Sequence, residues 1–232
     1  MSEDTSMPQH TVPSSRTLIV ALGMIAMMSG FLVVLAFQLT APRIAANKQR
    51  ALEKAIFTVL PQASQSRSYV LGEDGLVIVP EGEAVSDEKQ AVYAGYDADG
   101  NLTGLAMVSS ARGYQDVVKV LYGYSPESQC VTGITVLQST ETPGLGDKVG
   151  TDPDFLANFE CLDARLNEDG SAVANPIHTV KNGKKTSPWQ IDAISGATVT
   201  SKAIGNGLEE STSRMLPLLH QHKKGLPPAL TE

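Results

Sequence analysis

Between Asp192 and Ser201 the sequence reads DAISGATVTS, with hydroxyls at Ser195, Thr198 and Thr200 among residues too small to cover them. Ser, Thr and Gly are also what a turn and a helix N-cap ask for, so residue types alone favour a plain helix start. A helix start has a second property. Its first amides lack partners and lie at the positive end of the helix dipole, which suits a phosphate. A second loop, TETPGLGD from Thr140 to Asp147, carries Pro143, Gly144 and Gly146. These residues turn the backbone sharply and let it approach a flat ligand closely, although an ordinary turn has the same composition.

Other chemistries are poorly served. The two cysteines, Cys130 and Cys161, have no CxxC spacing and no histidine to complete a metal set; a disulfide between them is allowed, but nothing demands it. Of four histidines (His10, His178, His220, His222), three lie near the chain ends. A net charge of −7 leaves no basic stripe for nucleic acid. No GxGxxG occurs, so a nicotinamide would have to be handled elsewhere.

The loops need a frame, and the first element of the chain is apolar. From Thr17 to Pro42 there are 26 residues without a charge, roughly 39 Å as a helix and enough to span a bilayer. A cleaved signal peptide competes, but its apolar region usually runs about 7–15 residues. The segment is therefore read as an uncleaved transmembrane helix, 17–42, after a tail at 1–16. Arg43, Lys48, Arg50 and Lys54 follow it, and charge taken literally puts the following domain in the cytoplasm. Residues 43–61 read as a helical stalk with Ile44, Leu52, Ile56, Val59 and Leu60 near one face and Pro61 at its end. From 62 to 88 only Leu76–Val79 suggests a strand among loops.

Two stretches then resemble each other. Tyr96–Asp116 and Tyr124–Asp147 each run from Tyr through an acidic turn into Leu/Val-Thr-Gly, with Leu102 and Val131 matching, and Val117–Tyr124 opens the second hairpin. Duplication and the ordinary grammar of hairpins explain this equally well. Beyond Thr198, the spacing of Ile204, Leu208, Met215, Leu216 and Leu219 predicts a helix with one face on the sheet. The expected fold is α+β: an antiparallel sheet flanked by helices over 62–219, on a single N-terminal transmembrane helix, with a C-terminal tail at 220–232.

Together, DAISGAT, ETPGLG and the upstream Gly113–Tyr114 resemble the FMN-binding domain of membrane redox complexes, above all the G-subunit family of the Rnf ion-translocating electron transport complex. The C-subunit family of the sodium-pumping NADH:quinone oxidoreductase is similar, shares both loops and tends to be longer. The resemblance implies that the Thr198 hydroxyl carries FMN as a phosphoester. Ser195, Gly196 and Ala197 would leave the approach open to a flavin transferase using FAD, and Asp192 would help position the acceptor or its activating metal. Thr200 lies outside the acceptor position of the motif. Glu141, Thr142, Gly144, Leu145 and Gly146 would line the isoalloxazine, with Leu145 as wall and Glu141 and Thr142 as hydrogen-bonding partners. Further implications are partner membrane and iron–sulfur subunits and a single-pass location in the cytoplasmic (inner) membrane with the domain on the periplasmic side, against the charge rule. Trp189, just before the motif, either lines the flavin or packs in the core, and the sequence favours packing. A rival from another class is a non-redox, membrane-anchored assembly module.

Overall fold

The computed structural model describes residues 14–72, 75–80 and 90–222, so most of both tails and part of the stretch before Gln90 lie outside the described residues. The chain divides into two compact units, Met1–Lys48 and Gln49–Glu232. Helix α1 (Ser15–Val59) begins in the first unit and ends in the second, and it carries a window of mean hydropathy 2.6 with none of it buried. Its large apolar residues from Leu18 to Leu39 are 40–76% exposed, and the helix is long and apolar enough to cross a bilayer. Ile44, read as sharing a face with Leu52 and Ile56, is also exposed.

The second unit is built on a seven-stranded antiparallel sheet in the order β2-β1-β3-β4-β5-β6-β7. Its strands are β1 (Gln65–Gly72), β2 (Gly75–Ile78), β3 (Ala91–Tyr96), β4 (Leu102–Arg112), β5 (Val117–Ser125), β6 (Cys130–Gln138) and β7 (Leu162–Asp163). Side chains alternate between two faces, as the period of a strand requires. Val92, Ala94, Leu105, Met107, Val120 and Tyr122 enter the larger core. Tyr93, Ala106 and Leu121 point the other way, into a smaller core closed by Ala55, Ile56, Val59 and Leu60 at the end of α1.

The two similar stretches supply equivalent places in consecutive hairpins. Leu102 pairs with Tyr96 and Val131 with Tyr124, and the register shifts at Gly95/Tyr96 in one hairpin and Gly123/Tyr124 in the other. Gly95 pairs with Gly104, and Gly123 with Gly133. These four glycines form a floor for the end of α1. A Cβ at Gly95 or Gly104 would come within 2.8 or 2.7 Å of the Leu60 side chain, and one at Gly123 would strike the Val59 carbonyl.

The larger core is closed by α3 (Thr198–Gln221), in which Ile204, Leu208, Met215, Leu216 and Leu219 are buried as their spacing predicts. A short helix, α2 (Pro153–Leu156), follows the 3₁₀ turn Gly146–Gly150. A parallel pair, β8 (His178–Val180) and β9 (Gln190–Asp192), leads into α3. Cys130 and Cys161 form a disulfide with Cα atoms 5.0 Å apart, which ties β6 to the turn before β7. Trp189 is half-buried and outside both cores.

Candidate functional site

The DAISGAT segment leaves β9 and enters α3 through Gly196, whose φ of +85° is a left-handed conformation that glycine adopts without strain. Ala197 is the N-cap and Thr198 the first helical residue, with no side-chain cap and no acid in the first turn. Composition suggests a capped start, but the residue at the cap has no polar side chain. The first-turn amides are thereby left for a ligand. Thr198 is half-buried, and its hydroxyl makes no hydrogen bond among the described residues.

Opposite stands the loop after β6. Gly144 has φ of +78°, and Leu145 is turned outward with 52% exposure. Gly146 permits a close approach: a Cβ there would lie 2.6 Å from a Glu141 carboxylate oxygen and 2.8 Å from the Thr200 hydroxyl. Between these loops lies a cleft of about 460 Å³ lined by Tyr114, Glu141, Thr142, Leu145, Gly146, Gly196, Ala197, Thr198, Val199 and Thr200. That volume suits a small-molecule or cofactor site. Tyr114 and Val199 are exposed like Leu145, so three large exposed side chains line the cleft together with Thr198.

Glu141 is buried at the base of the cleft. Its Oε2 accepts a 2.6 Å bond from the Thr200 hydroxyl and its Oε1 a 3.0 Å bond from the Gln115 amide. Burial pushes this carboxyl up, but the Thr200 hydroxyl and the amides of Gln115, Tyr114 and Asp116 more than offset it and hold it below the ordinary glutamate range. Both oxygens expected to serve a ring are thus turned to protein donors. Thr142 lines the cleft and accepts from the Gln115 side-chain amide at 2.8 Å.

Ser195 is exposed beside the cleft, and neither it nor Gly144 lines it. Asp192 is outside it too. Its carboxylate accepts from the Gly183 amide at 2.9 Å and the Lys184 amide at 3.4 Å, which pins the turn between β8 and β9. Its own backbone is held by Asn158, which accepts from the Asp192 amide at 3.0 Å and donates to its carbonyl at 3.2 Å. The acid therefore organises the strand end that delivers SGAT. Among the described residues no cluster of His, Cys, Asp and Glu could hold a metal.

The FMN-binding domain family model matches residues 113–213, a span that takes in the GY, ETPGLG and SGAT segments. The G subunit of the ion-translocating oxidoreductase complex of Methanosarcina acetivorans is 29% identical over 196 residues, covering 83% of this chain and 90% of that protein. The G subunit of the Na⁺-translocating ferredoxin:NAD⁺ oxidoreductase complex of Acetobacterium woodii is 30% identical over 154 residues, 66% of this chain and 68% of that protein. The chain belongs to the G-subunit family of ion-translocating oxidoreductase complexes. The fold is shared more widely: the crystal structure of Shewanella oneidensis NqrC superposes with a TM-score of 0.59 at 18% identity, over 77% of this chain and 99% of that one.

In this member of the G-subunit family, Thr200, Val199 and Gln115 also belong to the site. Thr200 carried a weak signal, since a hydroxyl two positions beyond Thr198 in a helix start is also an N-terminal-turn residue. Val199 and Gln115 carried none, because their place depends on how two loops 26 or more residues apart meet.

Proposed function

We propose that this chain is a membrane-anchored flavoprotein subunit of an ion-translocating electron transport complex of the Rnf type, with FMN joined to the Thr198 hydroxyl as a phosphoester. One observation carries the reading: a hydroxyl without a protein partner among the described residues, at the first position of an uncapped helix, inside a cleft within an FMN-binding domain. The residues fit that cofactor. First-turn amides of α3 and the helix dipole offset phosphate charge, Leu145, Val199 and Tyr114 offer apolar surface, and Gly146 and Gly196 keep the backbone low beneath it. Bound there, FMN supplies one- and two-electron transfer, while the protein sets its orientation and electrostatics.

In maturation by a flavin transferase, the Thr198 oxygen would be the group that takes the FMN-side phosphorus of FAD, the bond to the AMP half being replaced, AMP leaving and the transferase taking the hydroxyl proton. Exposed Ser195 and unencumbered Gly196 leave that approach open, and Asp192 holds the preceding strand end in place. Electrons then pass between other membrane and iron–sulfur subunits through this site.

An outward, periplasmic domain is supported by the Cys130–Cys161 disulfide, since such bonds persist in oxidising compartments. The stalk charges favour the opposite side, but the charge rule is weak for long domains. The test against a scaffold without redox function is ultraviolet fluorescence of the denatured full chain in a gel, after expression with its flavin transferase. A fluorescent band at the chain's mass is expected. Its absence from folded, transferase-exposed protein would favour the scaffold.

A further inference from the structure

Three separate segments meet at the Glu141 carboxylate. Thr200 in the first turn of α3 donates to Oε2 at 2.6 Å, and the amide of Gln115 in the β4–β5 loop donates to Oε1 at 3.0 Å. Glu141 itself opens the loop after β6, and the Gln115 side chain crosses back to the Thr142 hydroxyl at 2.8 Å. The fit is close on both sides. A Cβ at Gly113 would stand 2.5 Å from Oε1, and one at Gly146 would stand 2.6 Å from Oε2. Each of the three joined segments also presents one exposed apolar side chain to the cleft: Tyr114, Leu145 and Val199.

We infer that Glu141, through Thr200 and Gln115, is a positioning residue that clamps the two cleft loops to the acceptor helix and so fixes the Tyr114, Leu145 and Val199 side chains that line the cleft with Thr198. The inference rests on the reading of this cleft as the FMN site. Two surface loops are otherwise free to move independently of α3. Charge-assisted hydrogen bonds to one shared acceptor remove that independence. Productive geometry requires such groups to be held within about 0.5 Å, which loops achieve only when something behind them is fixed. Thr200 thereby differs from Ser195: one is the clamp's donor, the other an exposed hydroxyl beside the cleft.

The test uses the full chain in detergent with two readouts. One is the initial rate of covalent labelling by flavin transferase and FAD. The other is amide hydrogen exchange of residues 113–116 and 141–146 in unlabelled protein. Thr200→Val is expected to speed exchange in both loops and slow labelling, each by about ten-fold, while Thr200→Ser keeps both within about two-fold of the parent. Glu141→Gln, isosteric and uncharged, should behave like Thr200→Val, and it carries the comparison if the valine variant is recovered unfolded. Loops as protected in Thr200→Val or Glu141→Gln as in the parent would overturn the clamp, as would a serine variant no better than the valine. If the parent itself never labels, the flavin assignment falls, and the exchange comparison still decides the clamp.

Discussion

Gly123 and Gly133 face each other across β5 and β6, yet alanine at the two positions should have opposite consequences. At Gly123 the new Cβ would strike the Val59 carbonyl and lie 2.9 Å from the Thr132 hydroxyl and 3.2 Å from the Val59 carbonyl carbon. Two of those atoms are backbone at the end of α1 and have no rotamer to escape into. Overpacking of this kind costs about 1–3 kcal/mol, against which a Gly→Ala change recovers about 0.4–1 kcal/mol of unfolded-state entropy. The net loss of about 1–2 kcal/mol lowers Tm by roughly 2–8 °C in a domain of this size. At Gly133 the nearest atoms are 3.7–3.9 Å away, all of Val59, so the entropy gain stands alone and Tm should hold or rise slightly. Thermal denaturation of the two full-length variants, followed by circular dichroism, checks the pair. Equal midpoints, or a Gly133→Ala variant less stable than Gly123→Ala, would refute the picture of α1 seated on a glycine floor.

The Cys130–Cys161 bond closes a separation of 31 residues, a loop whose closure entropy is worth about 3–4 kcal/mol; Cys161→Ser, compared with the parent by urea denaturation, should lose most of that, and an unchanged midpoint would contradict it. Glu141 and Asp163 respond to acid in the same sense. Burial raises both carboxyls, but Thr200 and backbone amides at Glu141, and Arg165 at Asp163, hold both below their ordinary range. Their stabilisation is present above the unfolded-state pKa and is lost as pH falls through the lower folded value. Unlabelled protein should therefore weaken as pH drops through the carboxylate range, and Glu141→Gln should flatten that limb; superimposable acid limbs for variant and parent would count against the clamp's charge. A reporter fused after Glu232 should be active on the outer face of the membrane, and activity confined to the cytoplasm would vindicate the stalk charges instead.

Much of the frame was legible because it rests on periodicity. The spacing of Ile204, Leu208 and Leu219 is helical, the uncharged run at Thr17–Pro42 reads as a span, and the matched Leu102 and Val131 mark equivalent hairpin places. Strand β1 escaped because QSRSYVLG sends only Tyr69 and Leu71 fully into the core, too few apolar residues to mark a strand. The three-residue parallel pair β8–β9 is too short for any period to appear. At the site, the two glycine loops were readable from composition, but the Thr200–Glu141 bond joins residues 59 apart. Only folding reveals which of several hydroxyls is buried against a carboxylate and which stands free. The disulfide was equally silent, since its cysteines carry no spacing code.

Whether Thr198 alone bears the cofactor is decided by peptide mapping with mass spectrometry. The full chain is expressed with its flavin transferase, digested, and fragmented alongside Thr198→Val and Ser195→Ala. Valine keeps nearly the shape of threonine and removes only the attacking hydroxyl, so its folded fraction, checked by circular dichroism, should match the parent. An FMN-sized adduct is expected on Thr198 in the parent and in Ser195→Ala, and none on folded Thr198→Val. An adduct persisting on the valine variant, or mapping to Ser195 or Thr200 in the parent, would contradict it.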